Sequence, residues 1–381
     1  MARPFGVYVH FPYCRHRCPY CDFAVTTEPV PRGRSYARAI LRELALRAGA
    51  FDGLELRSIY LGGGTPSLWD PAEVAEVIGE IRGRFSAVAV RDLEITLEVN
   101  PESSGRAQLR AWRAAGVNRV SVGAQSFDPG VLAKLGRRHG PEEAERAIRE
   151  AAEEIANVSV DLIHASRRST PASAATDAAR AVAAGAVHVS DYALTVDAEV
   201  LAEEVPFARM ARAGRLPLPG EEEAAAQGRA LRAALRRAGL QRYEISNHAR
   251  PGRESVHNRL YWESESYLGL GAGAYGCLRG EAGSVRYGNL RDTPAWLAAV
   301  EASRLPSAEE DRLDPRAERN ERVMLALRTI SGAPLGWLAP AASREVEGLL
   351  RRRLAVVRAG RLVLTSRGMD LHSAVAERLF E

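Results

Sequence analysis

Four cysteines, four methionines and a single lysine, Lys134, are all that 381 residues hold of those types. So few thiols cannot staple a chain of this length, which excludes a disulfide-built secreted scaffold. No apolar run approaches the roughly 18 residues needed to cross a bilayer, and the first residues lack the apolar stretch of a secretory leader. Reduced cysteines then suit a cytoplasmic protein, the compartment expected here. A strong excess of one charge is missing too: lysine plus arginine total 52 against 48 acids, for a net charge of +4. That balance gives no reason to expect a nucleic-acid partner. The bias to arginine reads as coding-DNA composition and not as function.

What is present points elsewhere. With 46% hydrophobic residues the chain can bury a sizeable core, and its length suits one large domain plus a smaller one. Three of the four cysteines fall within Cys14-Arg15-His16-Arg17-Cys18-Pro19-Tyr20-Cys21. Thiolates this close are soft donors that can converge on one metal centre, and they supply three ligands where a closed zinc site wants four. On a [4Fe–4S] cube, three cysteines leave one iron open. Zinc completed by His10 or His16 is the alternative at this point.

Along the chain, strand and helix signals alternate. Phe5–Phe11 reads as a buried strand delivering the cysteine loop, and Ser35 reads as the cap of a helix. Ser58–Leu61 leads into Gly62-Gly63-Gly64-Thr65-Pro66; Asp70-Pro71-Ala72-Glu73 starts a helix. Leu93, Ile95, Leu97 and Val99 alternate with Glu94, Thr96, Glu98 and Asn100. Further strands follow at 120–122, 158–163 and 188–194, with helices at 106–115, 142–155, 174–184 and 221–237. Six such units predict a parallel sheet, either doubly wound or curled into a partial barrel. Cys14–Cys21, the glycines, Glu98 with Asn100, Gln125 and Asp161 mostly sit at or beyond the C-terminal ends of strands. That is the functional rim of a (β/α) barrel, so the expected fold is an α/β, TIM-like partial (β/α)6 barrel. It is expected over 1–238, followed by a connecting β/loop region over 239–305. Helices and the hairpin near Ala359-Gly360 predict a C-terminal α+β winged-helix-like domain over 306–381.

Consecutive glycines let backbone approach a ligand, although the same run can be a plain tight turn. It lacks the Lys-Ser/Thr of a phosphate loop. Glu98 and Gln125 are polar on strands that otherwise read as buried, where a nucleoside or a satisfied core network could take their hydrogen bonds. Asp161, inside an apolar run, needs a partner such as a ribose hydroxyl or Arg137. Cys277 reads as a small buried hydrophobe. Gly269-x-Gly271-x-Gly273 is no dinucleotide fingerprint, having no βαβ context.

Tyr8-Val9-His10-Phe11-Pro12, Cys14 to Phe23, the glycine turn, Glu98-Val99-Asn100-Pro101, Gly123-Ala124-Gln125-Ser126-Phe127 and Arg137 together resemble the HemN/HemW branch of the radical S-adenosylmethionine (SAM) superfamily. The resemblance runs over essentially the whole chain. It implies a [4Fe–4S] cluster on Cys14, Cys18 and Cys21, and SAM contacts from Tyr8, Tyr20, Gly63, Gly64, Thr65, Glu98, Gln125, Arg137 and Asp161. Phe23 stands where the oxidases of the branch carry a further cysteine, and the first strand begins by about residue 5 without their long N-terminal arm. Both features are similar to the haem-chaperone members. These also bear a His-Asn-x-x-Tyr-Trp motif associated with haem, matched by His257, Asn258, Tyr261 and Trp262, with His257 as the implied axial ligand. The resemblance thus implies haem binding, delivery to a recipient haemoprotein, and a flavodoxin- or ferredoxin-type electron donor if SAM is cleaved. It departs from the branch at Ala165-Ser166-Arg167-Arg168-Ser169, where Gly-Leu-Pro and a Gln are usual, and at Tyr275, where His is frequent. Two other readings remain: a radical enzyme acting on a porphyrinogen or methylation substrate, and an iron–sulfur regulator binding DNA through the winged helix.

Overall fold

The structure, a computed structural model, describes residues 2–27, 33–89, 91–197, 201, 205–280 and 283–380. In β1 (Pro4–Phe11) the side chains of Phe5, Val7, Val9 and Phe11 are fully buried, while Gly6, Tyr8 and His10 alternate with them on the other face. The same two-residue period recurs in β2 (Glu55–Gly63), β3 (Glu94–Val99), β4 (Arg119–Gln125), β5 (Val158–His164) and β6 (His188–Ala193). Between them run α1 (Gly33–Arg47), α2 (Pro71–Arg84), α3 (Arg106–Ala114), α4 (Pro129–Lys134), α5 (Pro141–Glu154) and α6 (Pro171–Ala183). Asp70 caps α2 as expected, accepting from the Ala72 amide at 2.8 Å. Ser35 does not cap α1. The helix already runs from Gly33, so Ser35 lies inside its first turn with helical backbone angles, which a capping residue does not have.

Strands β1 to β6 are neighbours in sequence order, and every pair is parallel. A doubly wound sheet reverses its order at a switch point; this one does not, and it forms the partial barrel. After α7 (Pro206–Arg212) and α8 (Glu221–Arg237), the short β7 (Gln241–Arg242) and β8 (Asn247–Ala249) add antiparallel to β6. The helix α9 (Val256–Trp262) precedes β9 (Ser266–Leu270), which returns to pair parallel with β1. Then β10 (Tyr275–Gly280), β11 (Gly283–Asn289), α10 (Thr293–Glu301) and β12 (Ser307–Arg312) complete a twelve-stranded sheet whose last three strands are antiparallel. Its largest apolar cluster runs from Phe5 to Val300.

A second cluster, from Val323 to Leu379, is built by α11 (Pro315–Leu327), β13 (Ala333–Pro334), α12 (Ser343–Arg351), β14 (Ala355–Arg358), β15 (Arg361–Leu364), α13 (Ser366–Asp370) and α14 (His372–Glu377). Helix, strand, helix and hairpin follow in the order of a winged-helix module, around a three-stranded sheet. Among the described residues no helix is long and apolar enough to cross a membrane.

Candidate functional site

The inner faces of the strands are polar where the outer faces are aliphatic. Ser58, Thr96, Arg119, Ser121, Ser159, His188 and Ser190 are all buried there. At the C-terminal mouth this lumen opens into a cavity of about 420 Å³. Cys14, Cys18 and Cys21 line it together with Tyr20, Gly63, Gly64, Thr65, Glu98, Gln125, Arg137 and Asp161. Of the residues the resemblance assigns to cluster and SAM, only Tyr8 lies elsewhere, on the wall of a second cavity.

The cysteine loop is pinned by its backbone. The Cys14 amide donates to Thr26, and the Thr65 amide donates to the Tyr13 carbonyl at 2.9 Å. The Thr65 hydroxyl points at the Cys14 sulfur (3.4 Å) and Arg137 at the Cys18 sulfur (3.8 Å). All four cysteines of the chain are free thiols. Burial pushes the Cys14 thiol up to about 11 and raises Cys21 as well. Such sulfurs need a metal to hold them as thiolates. Among the described residues no three His, Cys, Asp or Glu side chains converge on a single ion position. His10 is committed elsewhere: Nε2 donates to the Ala24 carbonyl at 2.8 Å, and Nδ1 accepts from the Tyr8 hydroxyl at 3.0 Å. Gly63 closes against that imidazole with φ +112°, and a Cβ there would lie 2.6 Å from the ring. No side chain fits this turn.

Beyond the cysteines the cavity is acidic on one wall and cationic on the other. Glu98 accepts from the Tyr60 hydroxyl at 2.8 Å and from the Gly63 amide at 3.0 Å. Burial, with the negative charge of Asp161 adding to it, raises its carboxyl to about 7. Asp161, also raised by burial, accepts from Ser121 at 3.1 Å, and its hydrogen bonds include none from Arg137. Arg137 instead donates to the Asn100 side chain (2.7 Å) and the Gly123 carbonyl (2.8 Å). Burial opposes its charge, but the neighbouring Tyr20 and Cys18 outweigh that and hold the guanidinium above its ordinary value. Gln125 ends β4 in the left-handed region, φ +67°, at a break in the β4–β5 register. A non-glycine residue held there is a strain that clusters at functional sites.

The His-Asn-x-x-Tyr-Trp segment is helix α9, and it plugs the opposite end of the barrel. Glu94, the first residue of β3, accepts from the amides of Val256 (2.9 Å) and His257 (3.0 Å), a carboxylate against a helix N-terminus. The four motif residues do not share a cavity. Asn258 faces the cysteine cavity through the lumen. Tyr261 and Trp262 line the second cavity, about 580 Å³, with Tyr8, Tyr267, Arg279, Arg291 and Met324. His257 lines neither and is 2% exposed. Its Nδ1 is 2.8 Å from the Ser58 hydroxyl and its Nε2 is 2.8 Å from the Tyr261 hydroxyl. Burial lowers it to about 3, so the ring is neutral. Implied as an axial ligand, it stands in the structure with both nitrogens engaged and no open face.

Sequence reasoning passed over Tyr60, Arg119, Ser121, Ser190 and Tyr192, all on the cavity wall. The signal was the strand period: each is two residues from another inward polar side chain. The divergent loop after β5 is held by an unexpected residue. Ala165 adopts φ +61°, its amide donates to the side-chain oxygen of Gln227 at 2.7 Å, and Gln227 Nε2 donates to the Ser169 carbonyl at 2.8 Å. Cys277 is 1% exposed, in keeping with a small apolar role. Phe23, 58% exposed, lies on the border of both cavities.

Residues 8–172 match the family description of the radical SAM superfamily. A heme chaperone HemW of Mycobacterium tuberculosis is 38% identical, covering 99% of this chain and 95% of its own. The heme chaperone HemW of Escherichia coli is 35% identical over 72% of this chain and 70% of its own. Among solved structures, coproporphyrinogen III oxidase (HemN) from Escherichia coli, a radical SAM enzyme, superposes with a TM-score of 0.81 at 20% identity. That superposition covers 100% of this chain and 90% of that one, and at such identity it speaks to fold alone.

Proposed function

The chain belongs to the HemW branch of the radical SAM superfamily, and on that premise we propose that it is a haem chaperone. It would hold a [4Fe–4S] cluster on Cys14, Cys18 and Cys21 and SAM beside it, and would carry haem as cargo to a recipient haemoprotein, in the cytoplasm. The observation that carries the reading is one cavity lined by all three cysteines and by eight of the nine residues implied for SAM. The donor set fits. Three soft thiol donors on one short loop suit an iron–sulfur cluster that keeps one iron open.

Cluster and SAM, when bound, supply one-electron chemistry, with a flavodoxin- or ferredoxin-type donor if SAM is cleaved. The chain's own residues orient and screen. Glu98 and Asp161 would present carboxyl oxygens to a cationic sulfonium or ammonium, and Arg137 lies beside the Cys18 sulfur. We assign haem to the second cavity, since the aromatic pair of the motif opens there; its arginines are already paired, Arg279 and Arg286 with Glu321 and Arg291 with Asp22. Its volume lies within the ordinary range for small-molecule sites.

A second reading, a radical enzyme, is supported by the same complete cavity. Anaerobic reconstitution followed by haemin titration, with parallel measurement of 5′-deoxyadenosine and coproporphyrinogen consumption, separates the two. Haem binding without substrate-coupled SAM cleavage supports the chaperone; cleavage coupled to substrate, with no haem affinity, overturns it.

A further inference from the structure

We propose that a third cavity, between α8 and the C-terminal module, binds the phosphate chain of a di- or triphosphate. Arg229, Arg236 and Arg367 would meet the chain at the rim and His248 at the floor. The inference is independent of the haem reading and of the cysteine cavity.

This cavity, about 660 Å³, is walled by α8, by β7 and β8, and by α13. Arg229, Arg232 and Arg236 stand three and four residues apart on α8, so one face of the helix brings all three charges to it. Arg242 from β7 and Arg367 from α13 complete a cationic lining. Its one carboxylate, Asp370, is divided between Arg232 (3.1 Å) and Arg242 (3.4 Å). Asp191 lies 3.8 Å from Arg232, but burial raises that carboxyl to about 7, so it offsets only part of a charge. Arg229, Arg236 and Arg367 are exposed, and among the described residues none of the three forms an ion pair. Like charges one helical turn apart repel, and a bound anion relieves them.

His248 points to the same ligand independently. It lines the cavity and is 1% exposed, yet among the described residues neither ring nitrogen has a hydrogen-bond partner. A buried imidazole left so is costly, and a ligand oxygen would satisfy it. Burial, and then the charges of Arg242 and Arg232, lower it to about 3, so the ring is neutral and has one N–H to donate.

The donors select the anion. Guanidinium groups from three elements can fork onto tetrahedral phosphoryl oxygens from several directions. A single carboxylate would leave most of these charges unmet, whereas a phosphate chain brings several negative charges in one compact body. No described residue lining the cavity is aromatic, so nothing there stacks a base. Recognition is therefore of the phosphates and not of a nucleoside. The volume lies within the range of small-molecule sites.

The test is calorimetric titration of the full chain, reconstituted anaerobically and freed of loose iron, with inorganic tripolyphosphate at physiological salt. One saturable site is expected. Arg236→Ala and Arg367→Ala, which break no ion pair among the described residues, should each weaken it about tenfold, and so should His248→Leu, which breaks no side-chain hydrogen bond there. Arg38→Ala, exposed on α1 and outside the cavity, should leave it unchanged. Titration with ATP distinguishes the sources of the same chemistry: tighter binding of ATP that the cavity variants also weaken assigns the site to a nucleotide, and tighter binding of tripolyphosphate to an inorganic chain. Tricarballylate binding as tightly as tripolyphosphate would overturn the phosphate assignment. No saturable binding, or binding that all three cavity variants leave unchanged, would overturn the site, and neither result bears on the chaperone reading.

Discussion

Replacing Glu98 by Gln should change how stability depends on pH. In the folded protein this carboxyl titrates near 7, because burial and then the neighbouring Asp161 disfavour its charge; its ordinary value is 4.5. Between those two values the folded chain holds a proton that the unfolded chain has released. Stability from this group is therefore fully present below about pH 4.5, falls as pH rises, and is lost by about pH 7. The displacement corresponds to about 3 kcal/mol, an upper figure because Glu98 and Asp161 share the effect. Glutamine cannot ionise, so this slope disappears. Its amide oxygen can still accept from Tyr60 or Gly63, so any fixed cost of the swap is the same at every pH. Urea unfolding of both proteins at pH 5, 6, 7 and 8, without added SAM, measures the difference. The variant should gain about 2–3 kcal/mol on wild type between pH 5 and 8. Parallel curves would show that the carboxyl titrates normally and that the enclosed, acid-rich wall is wrongly described.

Three further outcomes are expected. Ala165→Gly removes a left-handed alanine, relieving about 1–2 kcal/mol and costing part of that in chain freedom, so urea melts should show a net gain of about 0.5–1 kcal/mol. Gln227→Ala strands a buried amide and a carbonyl of the same loop, and the same melts should show a loss of about 2–4 kcal/mol. After anaerobic reconstitution, alanine at Cys14, Cys18 or Cys21 should sharply lower bound iron and sulfide, while Cys277→Ala should keep wild-type levels; equal loss at Cys277 would contradict its purely apolar role.

The barrel was legible because its signals are local. A two-residue period, proline at helix starts and three cysteines on one short loop each survive without tertiary context. So did the rim: Glu98 and Gln125 near strand ends and Asp161 within β5 broke an apolar pattern, and the cavity has them on its wall. The surroundings of His257 were not legible, because a histidine beside aromatics looks the same whether it faces a cavity or a serine. Its position depends on the docking of α9 on Glu94, and those residues are 163 apart in the chain. The sheet extension through β9 was hidden for a similar reason. Gly271 approaches the His10 carbonyl, where a Cβ would lie 2.4 Å away, and glycine-rich stretches read as loops until such a contact is seen. Gln227 held the β5 loop unannounced, since a glutamine in an alanine- and arginine-rich helix gives no warning of burial.

The two margins of the long sheet bear on how a haem acceptor would engage. At one, β12 presents Glu309, Glu310 and Asp311, all exposed, and at the other β7 is two residues long. Neither offers an uncharged backbone template long enough to recruit an extended segment from another chain. A haemoprotein taking its prosthetic group from this molecule would therefore have to dock side chain to side chain around a cavity mouth and not by strand addition.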